Sequence, residues 1–398
     1  MPLSTGVSYL AIPGPSVMPD AVLRAMHRAS PNIYEGDLID LTYALLPRLR
    51  QVARTKGHVA IYICNGHGTW EAALANMAIR GDRVLVASTG RFAHGWAETA
   101  RMMGIETDLI EFGLKTPVDA NQIETALRGK PADHYKAVLL THVDTSTSVK
   151  NAVRAVRDAI EASGSAALLA VDCVASLGCD QFEMDAWGAD VMIAASQKGL
   201  MVPPGLGFVF FNDRAKEYQT KLDYVSGYWN WAPRVDPQMY HQLFCGTAPT
   251  HHLYGLDAAL DIIEAEGLEN VWHRHKVLAN AIWAAIDVWG RDGTMRMNIA
   301  NPEHRSHAVT AIHLGAPDGI NLRRWTQTTA GLTLGIGLGM STPDDPKGEG
   351  FFRFGHMGFV NAQMIMGLLG TVEAGLTALD IAHGWGAVDA AAAVIARG

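Results

Sequence analysis

Between residues 60 and 211 the chain delivers seven short apolar runs that are continuous rather than alternating: 60–64 (AIYIC), 83–88 (RVLVAS), 106–112 (ETDLIEF), 136–143 (KAVLLTHV), 167–172 (ALLAVD), 191–196 (VMIAAS) and 207–211 (GFVFF). An alternating run covers one face of a sheet, whereas an unbroken run needs apolar cover on both faces. Helix-like stretches at 69–80, 93–103, 119–129 and 151–163 lie between the runs and can supply that cover. The pattern predicts an α/β fold: a mostly parallel seven-stranded sheet sandwiched by helices. Ligands of such sheets sit at the carboxyl ends of the strands. The polar residues just after each run are therefore the place to look for chemistry.

Beyond these runs the pattern changes. An amphipathic helix over 267–290 is expected to bridge two subdomains. Strands at 307–314 and 351–358, a helix at 320–330 and another from 361 fit a smaller α+β domain. The expected organisation is an N-terminal segment (1–20), a large domain (21–280) and a small C-terminal domain (281–398). The net charge of -8 argues against binding a phosphate backbone, so no nucleic-acid partner is expected. No stretch approaches the roughly 18 apolar residues of a membrane span, and the N-terminus lacks the charged and apolar regions of a signal peptide. Cys64, Cys173, Cys179 and Cys245 have no CxxC spacing and read as small buried hydrophobes, consistent with the cytoplasm. His241, His251 and His252 lack acidic or cysteine co-ligands at useful spacing, so no metal site is expected.

Five strand ends carry candidate functional groups. After 60–64 comes the turn Asn65-Gly66-His67-Gly68-Thr69, whose backbone N–H groups at a helix start could nest an anion. It lacks both the dinucleotide and the P-loop spacings. Phe92 follows the second run and could wall a flat ligand or simply pack in the core. Thr141 to Thr147 offer hydroxyls, or an Asx/ST turn. Asp172 ends an apolar run, where it could pair with a buried positive group or cap the next helix. Lys198 follows the sixth run in Ser196-Gln197-Lys198-Gly199, where desolvation would free its amine, unless it is an ordinary solvated lysine. A lysine for an imine, a carboxylate for a pyridine nitrogen, an anion nest and an apolar wall are the needs of pyridoxal 5'-phosphate.

These residues resemble those of class V, fold type I aminotransferases, specifically the alanine/serine–glyoxylate group. The similarity runs from Ile12 to Gly358 and rests on Pro13-Gly14-Pro15, Gly66-His67-Gly68-Thr69-Trp70-Glu71-Ala72-Ala73, Val171 to Gly178, Ser196-Gln197-Lys198-Gly199, Pro203-Pro204-Gly205, Glu266 to Asn270, and Phe352-Arg353-Phe354-Gly355-His356-Met357-Gly358. The resemblance implies a pyridoxal-phosphate transferase of fold type I, working as a homodimer with shared active sites. Lys198 would carry the cofactor as a Schiff base and Asp172 would pair with its ring nitrogen. Gln197 and Gly66 to Thr69 would hold the phosphate, Phe92 would stack on the ring, and Thr145 would approach the ring hydroxyl. Arg353 would bind the substrate carboxylate, and Thr247 would reach the phosphate in the partner subunit.

Three departures stand out: Phe244 occupies a tyrosine position, Ser148 stands where relatives usually carry glycine, and DDPKGEG (344–350) resembles an insertion. The implied reaction moves the amino group of a small amino acid (serine, alanine or aspartate) to an oxoacid, glyoxylate first, by a ping-pong route. A lyase or desulfurase of the same fold is the rival, although Gln197 stands where those enzymes carry histidine. Ureidoglycine is a further open donor. The aromatic stretch 224–231 is read either as a substrate mouth or as a packed loop.

Overall fold

The computed structural model describes residues 3–398. The first strand, β1 (Tyr9–Ala11), is followed by the strands of the large sheet: β2 (His58–Cys64), β3 (Arg83–Ser88), β4 (Glu106–Glu111), β5 (Ala137–Thr141), β6 (Leu168–Asp172), β7 (Val191–Ala195) and β8 (Gly205–Phe211). Their order is β2-β8-β7-β6-β5-β3-β4. Strands β3 to β7 pair in parallel, and β8 runs antiparallel to both neighbours. Every residue of β5, β6 and β7 is buried, because helices cover both faces of the sheet centre. The edge strand β4 is half-exposed and polar, and Arg83 of β3 pairs with its Glu106 and Asp108.

A second sheet contains β9 (Arg296–Met297), β10 (Val309–His313), β11 (Leu332–Ile336) and β12 (Phe351–Gly355), in the order β1-β11-β12-β10-β9. Strand β1 lies parallel to β11, so the N-terminal segment completes this sheet before crossing to the large one. The Leu268–Trp289 helix joins the two cores: Val271 packs under the large sheet, and Leu278 to Trp289 pack with Phe352 and Phe354 of β12.

Sequence patterning did not anticipate β1, β9 or β11, nor the Asp20–Met26, Asp37–Val52 and Thr250–Glu266 helices. Strand β11 (LTLGI) follows a helix across a single left-handed Gly331, φ 74°, and runs into a glycine-rich tail, so it reads as loop. The helix expected over 69–80 spans Gly66–Ala75 instead. The Gly-rich turn is itself the first helical turn, because Asn65 caps it.

Asp190, just before β7, ties the centre of the sheet together. Its carboxylate accepts from the Leu169 N–H (2.8 Å), Asn212 Nδ2 (3.0 Å), Arg214 Nη1 (2.6 Å) and the buried Arg157 guanidinium. Removing one partner of a buried pair strands the other charge. Asp190→Ala should therefore lower the unfolding free energy by about 3–5 kcal/mol in a denaturant titration. A loss below about 1 kcal/mol would show that these cations are satisfied without it.

Candidate active site

Strands β5, β6 and β7 end side by side, with Thr141 in register with Asp172 and Asp172 with Ile193. Lys198 sits in the turn that links β7 to β8. That turn is closed by Met201 N–H to Lys198 O (3.0 Å), Val202 N–H to Ser196 O (3.0 Å) and Ser196 Oγ to Pro203 O (2.7 Å). Gly199 lies so close to the preceding loop that a Cβ would fall 2.1 Å from Leu177 O. The N-terminal segment clamps the same turn from the other side. Ser16 donates its N–H to Gln197 O (2.9 Å) and its Oγ–H to Lys198 O (2.7 Å), and the Lys198 ammonium donates to Pro13 O. At Gly14, φ 92°, the left-handed backbone favours glycine, and the Lys198 amine lies against it, 2.5 Å from where a Cβ would stand. The Pro13–Ser16 and Ser196–Gly199 motifs are two halves of one clamp.

Lys198 is buried, which pushes its amine down to about 8; the Arg353 guanidinium adds to this, while Asp172 and Cys179 oppose it. The alternative of an ordinary solvated lysine does not hold. Asp172 is also buried, and its carboxyl is pushed up to about 6 by desolvation, against hydrogen bonds from the Val174 N–H (2.8 Å) and Trp70 Nε1 (2.7 Å). Arg353 of β12 reaches in from the second sheet and is 5% exposed. Its Nε donates to Ile336 O (2.8 Å) and its Nη1 to Thr145 O (2.8 Å). Among the described residues no carboxylate lies in ion-pair range of it, and burial lowers it to about 10.

The anion nest adjoins Asp172: a Cβ on Gly66 would touch Val174 at 3.1 Å. The His67 and Gly68 N–H groups rest on Asn65 Oδ1 at 3.1 and 3.4 Å, long bonds that an incoming anion can replace. Thr69 is buried with its Oγ–H on Gly66 O (2.7 Å). Desolvation and Arg91 lower the His67 imidazole, favouring its neutral form. Phe92 is half-buried and packs edge-on to Trp70 at 6.3 Å. Its N–H is held by Asp144 Oδ2 (2.9 Å), so Asp144 in the 142–148 loop caps the helix that carries Phe92. Thr145 is buried in that loop, and Gln197 Oε1 is buried without a hydrogen-bond partner.

Ser148 adopts the left-handed conformation (φ 62°) that glycine would take more easily. Its N–H bonds Asp144 O (2.8 Å) and its Oγ accepts the Ala311 N–H (3.2 Å), so the loop keeps a tight turn. Phe244 is 1% exposed and packs edge-on to Tyr240 at 5.8 Å; it is a core residue of this chain. Thr247 is exposed, and no hydrogen bond joins it to the Lys198 cluster. The 224–231 stretch packs beside the nest: Trp229 lies 3.5 Å from where a Gly68 Cβ would stand, and the Tyr62 hydroxyl donates to Trp229 O at 2.8 Å. Buried Arg234 fixes it through Tyr228 O (2.6 Å). Sequence reading assigned no role to Ser16, Trp70 or Asp144, each of which acts on a residue far along the chain.

A family model for class-V aminotransferases matches residues 51–330. The chain belongs to the class-V aminotransferases. The serine–glyoxylate aminotransferase of Methylorubrum extorquens is 37% identical over 380 residues, spanning 93% of this chain and 91% of its own. The L-aspartate–glyoxylate aminotransferase of Paracoccus denitrificans is 31% identical over 380 residues, with the same shares covered. The ureidoglycine–glyoxylate aminotransferase structure from Bacillus subtilis superposes with a TM-score of 0.87 over 98% of both chains at 24% identity, a likeness of fold. This aminotransferase has the type I fold of pyridoxal-phosphate enzymes and uses that cofactor. The residues present fit the group: a buried carboxyl, a desolvated amine and loosely held helix N–H groups. A separate cavity of about 630 Å³, lined by His142, Lys150, Trp187, Trp272 and Lys276 among others, does not include them; the chemistry of the cluster, not cavity size, marks the site.

Lys198 in cofactor-free protein should react with a neutral amine reagent with a midpoint near pH 8, against about 10.5 for exposed lysines. Arg353→Ala should raise that midpoint by removing a positive neighbour. Peptide-resolved labelling across pH checks both, and an ordinary midpoint at Lys198 would mean that its burial does not desolvate the amine.

Proposed function

We propose that this aminotransferase moves the amino group of a small amino acid to glyoxylate by a ping-pong route. Serine stands first among donors, with alanine, aspartate and ureidoglycine behind it. The observation that carries the reading is Arg353, a buried guanidinium bonded only to carbonyls, in the same cluster as a desolvated lysine and a buried aspartate. A cation so placed is stabilised by a carboxylate arriving with substrate, and both amino donor and oxoacid bring one. The 37% identity to a serine–glyoxylate enzyme supports serine and glyoxylate as the first pair to test.

When bound, pyridoxal phosphate supplies an aldehyde carbon that joins amines and a ring that takes up electron density. Lys198 provides the amine that holds the cofactor. Because burial brings this amine to about 8, a fraction is unprotonated at neutral pH, and Nζ can take the proton from the donor Cα and later return one to the acceptor Cα. Asp172 accepts the N–H of the cofactor ring nitrogen and keeps it positive. The Gly66 to Thr69 turn, through its His67 and Gly68 N–H groups, would hold the phosphate together with Gln197. Phe92 would wall the ring, Thr145 would serve its hydroxyl, and Arg353 would orient the substrate so that its Cα proton meets Lys198.

The working unit is proposed to be a homodimer in which Thr247 serves the partner subunit's phosphate. Exposed Thr247 supports that reading. Because Phe244 is in the core, no hydroxyl accompanies Thr247 from that position. The large domain is read as 21–280 and the small one as 281–398. No described helix is long and apolar enough to cross a membrane, and all four thiols are free, which suits the cytoplasm.

Holoenzyme given each donor with glyoxylate should form the matching keto acid, fastest with serine. Lys198→Ala should lower kcat by at least about 10⁴-fold, since it removes both the attachment and the base. Arg353→Ala should raise KM for donor and for glyoxylate alike, each by about 10²-fold. Unchanged KM values would place the carboxylate elsewhere, and no glyoxylate consumption with any donor would remove the assigned reaction.

A further inference from the structure

Trp70 lies on the first turns of the Gly66–Ala75 helix and is 2% exposed. Its Nε1–H donates to Asp172 Oδ2 at 2.7 Å, while the other carboxylate oxygen takes the Val174 N–H at 2.8 Å. The indole is wedged on every side. The His67 ring stands 4.5 Å away, Phe92 meets it edge-on at 6.3 Å, and Trp96 stacks at 6.5 Å with 15° between planes. Gly95 gives it room, since a Cβ there would come within 3.0 Å of the ring. One side chain thus touches the anion-nest turn, the ring wall and the carboxylate. A long apolar residue would fill the same space without bonding Asp172.

We propose that Trp70 is a positioning residue of this aminotransferase, whose indole N–H fixes the orientation and charged state of the Asp172 carboxylate. The proposal rests on the reading that Asp172 holds the cofactor's ring nitrogen. A buried carboxylate with one donor removed bears the desolvation cost of that oxygen in full. The ionisable groups acting on Asp172 are Asp144, which disfavours its charge, and Lys198, which favours it; the Cys173 thiol is adjacent and itself pushed well up. With those fixed, losing the indole bond moves Asp172 from about 6 toward neutrality. At pH 7 more of it then carries its own proton and accepts less well from the ring nitrogen. The bond also sets the carboxylate plane, because Oδ2 cannot swing away from an indole that cannot turn.

Trp70→Phe keeps an aromatic ring and removes the N–H. In the full-length holoenzyme it should lower kcat about tenfold or more while the donor KM changes less than about threefold, and the acid limb of the kcat profile should move to higher pH. Cofactor affinity, read by dialysis against pyridoxal phosphate, should weaken about tenfold. In a double-mutant cycle with Asp172→Asn, the Trp70→Phe effect on that affinity should largely disappear. Independently of turnover, the Trp70 indole N–H resonance of the cofactor-free wild-type chain should shift with an inflection near pH 6 and lose that inflection in Asp172→Asn.

A wild-type pH profile and affinity in Trp70→Phe, or additive effects in the cycle, would reduce Trp70 to packing and overturn the proposal. If Trp70→Phe fails to fold, an indole resonance indifferent to Asp172 overturns it equally. Should Asp172→Asn itself leave affinity and turnover intact, the failure lies instead with the role given to Asp172.

Discussion

The site depends on keeping charged groups dry without letting them neutralise one another. Lys198, Asp172 and Arg353 are all buried, yet none forms a direct ion pair with another. The lysine rests on Pro13 O, the aspartate on two N–H groups, and the arginine on two carbonyls. Neutral dipoles hold each group in place while its charge remains available to a ligand. A direct Lys198–Asp172 bridge would have raised the amine and occupied the carboxylate, disabling both.

Holding that arrangement takes backbone from three distant parts of the chain. Gly199 leaves no room for a Cβ, so the turn after β7 and the loop after β6 close to backbone contact, and the N-terminal segment joins them through the Ser16 N–H on Gln197 O. Arg353 comes from the second sheet, and its Nη1 bond to Thr145 O links that sheet to the loop after β5. The cluster lies where the two sheets meet, so its geometry reports how they are set against each other.

Much of the layout was legible along the chain. Continuous apolar runs located the central strands of the large sheet because burial on both faces leaves no polar alternation, whereas the edge strand β4 is half-exposed and polar. Residues just after those runs, Asp172 and Lys198 among them, are the ones brought together, because parallel strands end on the same side. Resemblance added Arg353, which periodicity could not have distinguished from an exposed strand arginine. The first helical turn at Gly66 was misplaced by a few residues, because a glycine-rich segment capped by Asn65 looks like a loop until its hydrogen bonds are seen.

What the sequence determined by itself is local: strand identity from hydrophobic period, the presence of helices between the strands, and a short menu of groups able to do chemistry. Tertiary structure alone decided which of them act together. Trp70 bonds an aspartate 102 positions away, Asp144 caps a helix that precedes it in the chain, and Ser16 locks a turn 182 residues downstream. Such contacts leave no periodic trace, because they depend on strand order and on the fit of buried side chains rather than on neighbours in sequence. The perturbed acidities of Lys198 and Asp172 belong to the same category, since desolvation is a property of the assembled interior.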